Sequence, residues 1–331
     1  MTMTDNRKSA RIEWIDLAKG FCIILVVLYH VTHEHPLKLQ ISSFRMPLYF
    51  ILSGLFFKQY EGFFGFLKRK TNKLLIPFLF FLLFTSIIPH QLITHKSSIP
   101  DLLINREVIF NMPIWFLLCL FEINIIFYFV QWLGGVISTR YRTAVVIVLS
   151  LLVGMIGVLL GLNGISIPLF VDTACSALPL FVFGWWLNRK TSFLRAPVRL
   201  NIDIPIIVIC ALIVWFCADF FVWMHNHFTI QTLKSAYLCG IAGTIMILLI
   251  SKIIKRLPLV SYWGRYSIII LCTHYPIKTV FKSALLYVMP DSQFLRLVLF
   301  LLTLAACHFM ISLMRKYLPH VTAQKDLIKV N

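Results

Sequence analysis

The chain has 331 residues, of which 59% are hydrophobic and only 13% are charged. A soluble domain usually carries about 25% charged residues, so this composition excludes an ordinary soluble protein. The net charge of +18 would suggest nucleic acid for a soluble protein. In a membrane protein basic residues collect in cytoplasmic loops, and no nucleic-acid partner is expected. Apolar runs of about 18 or more residues recur and lack the alternation of a barrel. We therefore predict an all-α, polytopic membrane helix bundle.

About ten transmembrane helices are predicted, with both termini in the cytoplasm. Most of the 31 Lys and Arg residues fall in segments that this topology assigns to the cytoplasm. We expect a single integral-membrane domain over 1–331, with tails over 1–13 and 315–331 and the bundle over 14–314. The expected location is the cell inner (cytoplasmic) membrane. The predicted helices cover residues 14–32, 41–57, 74–89, 112–133, 143–162, 167–187, 202–224, 234–254, 267–289 and 294–314.

The first predicted helix carries ionisable residues that a membrane segment usually excludes. Lys19 and His30 are 11 residues apart, which is three helical turns plus about 20°, so they share one face. Asp16 precedes Lys19 by three residues and lies on the same stripe. The stripe from Asp16 to His30 is about 20 Å long. Snorkelling at a helix end accounts for Asp16 and Lys19, but less well for His30.

His30 is the natural candidate for a general base, because the pKa of histidine lies near working pH. Such a base needs a group that orients it. Glu34, four residues on, is a local candidate and is included among the catalytic residues. Carboxylates in other helices remain open as alternatives; they are Glu122, Asp172 and Asp219.

A metal site is conceivable in the same stretch but is not expected. A zinc ion bound by His30, His33, Glu34 and His35 would need a particular turn geometry. All eight cysteines lie within apolar runs, so we interpret them as small core residues and expect no disulfide framework.

The segment FRMPLYFILSGLFF, residues 44–57, is short and contains Pro47 and Gly54. Such a segment often lines a cavity instead of facing lipid. Arg45 is interpreted either as a helix-end residue at the headgroups or as a cation that faces a cavity and suits a phosphate or carboxylate. Ser53 and Gly54 form either a close helix contact or a backbone donor site.

A basic stretch follows, with Lys68, Arg69, Lys70 and Lys73. It is a topology signal, a site for acidic lipid, or a site for the phosphates of a nucleotide-bearing donor. Further along, His274 lies within an apolar run and is followed by Pro276, a kink site. It is either a core histidine or part of a lined cavity.

Several motifs in order resemble the membrane acyltransferase-3 family, and the fucose 4-O-acetylase-like branch in particular. The first is WIDLAKGFCIILVVLYH (14–30), in which Lys19 and His30 match the family's basic residue and His. FRMPLYFILSGLFF (44–57) and KLLIPF (73–78) follow it. Later landmarks are PIWFLLCLF (113–121), which contains Trp115, ALPLFVFGWWL (177–187) and YWGRYSIIILCTHYPI (262–277). The resemblance covers nearly the whole chain.

The resemblance implies an O-acyltransferase that moves acetyl, or a similar acyl group, from acetyl-CoA to a sugar hydroxyl in a surface glycan or exported molecule. No bound cofactor is expected, since acetyl-CoA is a co-substrate. The expected partners are the acyl-CoA donor, a glycan or glycolipid acceptor, and membrane lipid. His30 would take the hydroxyl proton. One departure is Arg45, where this branch commonly has His.

The resulting site prediction has two groups of residues. The catalytic group is His30, Arg45 and Glu34. The substrate-binding group is Asp16, Lys19, Ser53, Lys68, Arg69, Lys73, Trp115, Asp172 and His274. The alternative function is a proton-coupled transporter or a glycan export partner without acyl transfer, since buried His and carboxylates would also serve proton coupling.

Overall fold

The computed structural model describes residues 12–32, 37–60, 62–89, 109–222, 230–288 and 290–329. Within these ranges the regular elements are helices and no strand occurs. The helices are α1 (Glu13–Val31), α2 (Lys38–Leu55), α3 (Phe63–Ile87), α4 (Trp115–Ile137), α5 (Arg142–Leu162), α6 (Val171–Lys190), α7 (Leu200–Cys217), α8 (Ile230–Ile254), α9 (Pro258–Arg265), α10 (Ser267–Leu286) and α11 (Gln293–Tyr317).

Eight of the described helices are long and apolar enough to cross a membrane. The other two long helices are α2 and α10. Their apolar sequences are interrupted by Arg45 and Lys278, respectively, and each helix also contains a proline. All residues of α2 from Ile41 to Leu52 are buried, so this helix lies inside the bundle. The predicted polytopic all-α fold is therefore confirmed, and the order of ten long helices agrees with the sequence analysis.

Two predicted boundaries are wrong. The third helix begins at Phe63 and not near residue 74, because its first turns hold basic residues, which are good helix formers but not apolar. The seventh helix ends at Cys217, although the prediction extended it to residue 224. Beyond it the chain leaves the helix, and the amide of Val222 donates a 3.5 Å hydrogen bond to Ser42 Oγ.

A close helix crossing places α2 against α6. A Cβ atom on Gly54 would lie 1.8 Å from the carbonyl oxygen of Phe181, and one on Gly184 would lie 1.9 Å from that of Ile51. Only glycine allows the two backbones to approach this closely. Gly54 thus belongs to a close helix contact, which was one of the two interpretations of the Ser53–Gly54 pair.

The segment after α11 folds back onto α3. Asn72 is fully buried in a π-helical turn, Thr71–Leu75, and its Nδ2 donates a 2.8 Å hydrogen bond to the carbonyl of Ile328. Its Oδ1 accepts hydrogen bonds from the amides of Leu327 and Ile328, at 2.9 and 2.8 Å. These three bonds hold the segment 318–329 beside the basic stretch of α3.

Candidate functional site

Two groups of polar side chains lie along α1. Lys19 belongs to the first and His30 to the second, and 11 residues of helix separate them by about 16 Å. We call the first group the basic cavity and the second the histidine cluster. The ends of the bundle are named the Glu13 end and the Val31 end, after the termini of α1.

The basic cavity has a volume of about 440 Å³ and lies between α1, α2, α3, α4 and the segment after α11. Among the described residues, its basic side chains come from Lys19, Arg69, Lys70 and Lys73, and its carboxylate comes from Asp326. The cavity therefore carries an excess of positive charge. The other polar residues of its lining are Tyr49, Ser53, Tyr60 and Asn124.

Contacts between elements fix the walls of the basic cavity. The Tyr49 hydroxyl on α2 donates a 3.2 Å hydrogen bond to the carbonyl of Lys19 on α1. Lys73 Nζ donates a 2.9 Å hydrogen bond to the carbonyl of Ala323 and lies 3.3 Å from Asp326 Oδ1. Both side chains of this ion pair are about half exposed. A cavity of this kind suits a ligand with several negative charges, such as a nucleotide phosphate.

The histidine cluster joins α1 to α10. The ring centroid of His30 lies 5.2 Å from that of His274 and 5.5 Å from that of Tyr275, which meets it edge-on. The ring centroid of Tyr29 lies 5.1 Å from that of His30, and the two rings also meet edge-on. His30 itself is half-buried, so an aromatic frame holds its ring while leaving part of it accessible.

His274 is fully buried, and its Nδ1 lies 2.8 Å from the carbonyl oxygen of Ile270. A carbonyl oxygen accepts, so Nδ1 carries the hydrogen in the neutral ring and Nε2 is left as an acceptor. Nε2 has no hydrogen-bond partner in the described part of the chain. His274 therefore brings an available acceptor to the same cluster as His30.

Arg45 reaches the histidine cluster from α2. It is 7% exposed, and its Cζ lies 3.3 Å from the ring centroid of Tyr29. Its position inside a buried helix excludes the interpretation as a helix-end residue at the headgroups. Cys22 Sγ donates a 2.7 Å hydrogen bond to the carbonyl of Arg45, which ties this turn of α2 to α1.

The remaining predicted residues are not brought into either group by the described contacts. Asp16 is buried, and its carbonyl meets Gly264 of α9. Lys68 is exposed and does not line the basic cavity. Trp115 is buried with its ring 5.9 Å from that of Phe170.

The carboxylates proposed to orient His30 have different places. Asp172 is 1% exposed in the first turn of α6, and Glu122 is half-buried in α4. Asp219 forms an ion pair with Lys234. Glu34 lies outside the described residues, together with His33 and His35. The identity of the orienting group stays a prediction.

Within the described residues, no group of three or more His, Cys, Asp or Glu side chains is arranged to hold a metal ion. The eight cysteines are all described and all free, which agrees with their interpretation as small packing residues.

Sequence reasoning missed the aromatic partners of His30 and also Lys278, the cation that lies over one of them. Tyr29 and Tyr275 are chain neighbours of His30 and His274, so the dipeptides Tyr-His and His-Tyr were an available signal. Lys278 follows His274 by one helical turn and shares its face. Asp326, in contrast, stands in a polar segment far from Lys73 in sequence, and no local pattern marks it.

Similarity to known proteins covers most of the chain. A family model for acyltransferase-3, described as "Acyltransferase domain", matches residues 12–314. The inner membrane protein YcfT of Escherichia coli (strain K12) is 36% identical over 67 residues, which is 14% of this chain and 19% of that relative. The chain thus matches about a fifth of the length of this curated relative. No solved structure matches the chain.

Proposed function

The chain belongs to the acyltransferase-3 family, and from this premise we propose that it is an integral-membrane O-acyltransferase. The donor is acetyl-CoA or a similar acyl-CoA, and the acceptor is a hydroxyl of a sugar in a surface glycan or exported molecule. The protein lies in the cell inner membrane, as the name of its relative and its apolar helices suggest. Its Glu13 end faces the cytoplasm, in agreement with the basic residues there.

The basic cavity binds the phosphates of the donor. Arg69, Lys70 and Lys73 converge there with Lys19, so one nucleotide would meet cations from two helices. This favours the donor-phosphate interpretation of the basic stretch over a topology signal alone. Cytoplasmic acyl-CoA reaches this cavity from the Glu13 end.

His30 is the general base of the transfer. Its imidazole takes the proton of the acceptor hydroxyl while the hydroxyl oxygen attacks the thioester carbonyl carbon. The new C–O bond forms and negative charge moves to the carbonyl oxygen, where Arg45 supplies positive charge. The C–S bond then breaks, the CoA thiolate takes the proton from His30, and the products are the acyl ester and free CoA.

The distance between the two groups fits a donor with a long arm. His30 lies near the Val31 end of α1, so a cytoplasmic thioester must enter the bundle. From Lys19 the remaining separation along α1 is about 16 Å. The flexible pantetheine arm of CoA extends from the phosphates to the thioester and covers this kind of separation. The single observation that carries the proposal is that one helix, α1, contributes residues to both the basic cavity and the histidine cluster.

The test is acyl transfer by the purified full chain in lipid nanodiscs. Labelled acetyl-CoA is incubated with a glycan acceptor, and label in the glycan is measured for wild type, His30→Gln and His308→Gln. His308 is the matched control, since this half-buried histidine accepts a hydrogen bond from Trp263 of α9 and has no described contact with the histidine cluster. We expect His30→Gln to lower kcat roughly 100-fold or more and His308→Gln to leave it near the wild-type value.

Two outcomes contradict the proposal. Transfer that is equally fast in His30→Gln removes His30 as the base. Uptake of a labelled glycan or proton flux in proteoliposomes, without any transfer of label from acetyl-CoA, supports the transporter instead.

A further inference from the structure

Two buried cations flank the histidine cluster. On one side Arg45 Cζ lies 3.3 Å from the ring centroid of Tyr29, whose ring is 5.1 Å from that of His30. On the other side Lys278 Nζ lies 4.3 Å from the centroid of Tyr275, whose ring is 5.5 Å from that of His30. The contacts therefore form a chain in which His30 touches two tyrosines and each tyrosine touches a cation.

Both cations are removed from solvent. Arg45 and Lys278 are each 7% exposed. Within the described residues neither forms an ion pair with a carboxylate, and Arg45 interacts with the side chain of Tyr29. Tyrosine faces attract them, but that attraction replaces only part of the lost hydration. Charge kept in the interior of a membrane protein at this cost usually has a function.

The unpartnered nitrogen atoms of Arg45 indicate which kind of ligand would bind there. Its Nε and Nη1 are buried and have no hydrogen-bond partner among the described residues. Unpartnered donors on a charged guanidinium suit an anionic group such as a carboxylate or a phosphate, whose oxygens accept charge-assisted hydrogen bonds. The contact with Tyr29 thus leaves these two nitrogen atoms without a partner among the described residues.

A third cation extends the positive field toward the start of α2. Lys38 Nζ lies 5.0 Å from the ring centroid of Phe221, and that ring stacks on Tyr29 at 5.6 Å. Positive residues thus come from α2 and α10 around one histidine. A transient oxyanion in the reaction carries a single negative charge, which does not balance this arrangement.

We propose that Arg45 and Lys278 form an anion subsite beside His30, which binds a carboxylate or phosphate group carried by the substrate. The inference rests on the proposed function, because it makes the subsite part of the acyl-transfer centre. Arg45 binds the group through its unpartnered guanidinium donors, and Lys278 adds a point charge from α10. The subsite thereby selects substrates that are negatively charged close to the reacting hydroxyl or thioester.

The anionic group has two chemical sources. It is carried by the acceptor, as in a uronic acid or a phosphorylated sugar, or by the acyl group, as in a dicarboxylic acyl chain. In both cases the subsite aligns the reacting atoms with His30 through a charge-assisted contact. Two arms of one experiment distinguish them.

The first arm compares p-nitrophenyl β-glucuronide with p-nitrophenyl β-glucoside, both with acetyl-CoA. The second compares succinyl-CoA with acetyl-CoA on the neutral glucoside. In each arm the ratio of kcat/KM for the charged over the neutral substrate is measured. We expect roughly a tenfold or larger preference in one arm. Ratios near one in both arms overturn the proposal.

Variants then assign the preference to its residues. Lys278→Gln is expected to reduce the ratio several-fold, while Lys282→Gln keeps it; Lys282 is the same residue type one turn further along α10 and is half-buried. Arg45→Gln is expected to reduce the ratio most, and Arg45→Lys to restore part of it, since an ammonium keeps the positive charge but not the planar set of donors. An unchanged ratio in both Lys278→Gln and Arg45→Lys contradicts the assignment.

A binding measurement separates this inference from the proposed function. Thermal unfolding of the nanodisc protein is followed with each of the two p-nitrophenyl glycosides at equal concentration. Greater protection by the glucuronide in wild type, lost in Lys278→Gln, supports the subsite even if no acyl transfer occurs. Equal protection by the two glycosides, together with kcat/KM ratios near one in both arms of the transfer experiment, refutes the subsite while leaving acyl transfer standing.

Discussion

His30 and His274 face each other from α1 and α10 with ring centroids 5.2 Å apart, although 243 residues separate them in sequence. His274 offers Nε2 as an acceptor, so either ring is placed to receive a proton. We assign the base to His30 because it is the half-buried one of the two, and a group that takes a proton from a substrate must reach it.

The first prediction distinguishes these two histidines. His274→Gln should lower kcat roughly tenfold, because the amide keeps a hydrogen-bond acceptor and donor but loses the imidazole. His30→Gln should lower it roughly 100-fold or more. Steady-state kinetics at saturating donor measure both. A larger loss in His274→Gln than in His30→Gln would transfer the role of base to His274.

The second prediction concerns donor affinity. Lys70→Gln removes one of the basic side chains of the cavity, so the KM for acetyl-CoA should rise about tenfold with little change in kcat. Lys58→Gln is the control, because Lys58 is exposed and outside the cavity lining. A fall in kcat with constant KM would mean that Lys70 acts on the reaction and not on donor binding.

The third prediction concerns Asp326, the carboxylate in the basic cavity. In Asp326→Asn the side chain no longer neutralises Lys73, so CoA should bind several-fold more tightly, about threefold to tenfold. Equilibrium binding of labelled CoA measures the change. The matched control is Asp291→Asn, whose carboxylate pairs with Arg296 outside the cavity. Weaker binding in Asp326→Asn would show that the carboxylate positions the donor and does not compete with it.

The fourth prediction concerns the attachment of the segment 318–329. Asn72→Ala removes three hydrogen bonds, each contributing roughly 1 kcal/mol, from a fully buried side chain. Trypsin should then cleave after Lys325 faster than in wild type, as gel electrophoresis of timed digests reports. Asn163→Ala is the control, since that side chain bonds only within its own helix end. Equal cleavage rates would mean that other contacts hold the segment.

The fifth prediction concerns the crossing of α2 and α6. Gly184→Ala places a Cβ 1.9 Å from the carbonyl oxygen of Ile51, so the helices must move apart at a cost of about 1–3 kcal/mol. Gly65→Ala is the control, because a Cβ there meets nothing within 4 Å. Thermal unfolding in nanodiscs should show a lower transition for Gly184→Ala alone. An unchanged transition would contradict the closeness of this crossing.

Hydropathy and spacing predict the architecture well, for a physical reason. Lipid requires long apolar helices, so length and composition mark them directly. Hydropathy did not predict the start of α3 at Phe63, because Lys and Arg extend a helix without being apolar. The helical spacing of Lys19 and His30 likewise predicted one polar side of α1, which depends only on the geometry of a single helix.

Contacts between distant segments follow from tertiary packing, which a single sequence does not encode locally. His274 was a candidate on its own helix, but nothing in sequence placed its ring against His30. Asp326 is part of the basic cavity because Asn72 forms hydrogen bonds with the nearby backbone of Ile328, which is 256 positions later in the sequence. Arg45 was recognised as unusual, whereas its stack on Tyr29 required the structure.

The attachment at Asn72 also sets an order of assembly. Chains are synthesised and inserted from the N-terminus, so α1 and α3 are in place long before residue 326 emerges. Until α11 has entered the bilayer, the basic cavity lacks one of its walls and Lys73 lacks its ion-pair partner. A nascent chain that stalls before α11 therefore leaves the basic cavity open on the side that Asp326 would close, and the cavity is completed only when the last part of the chain has folded.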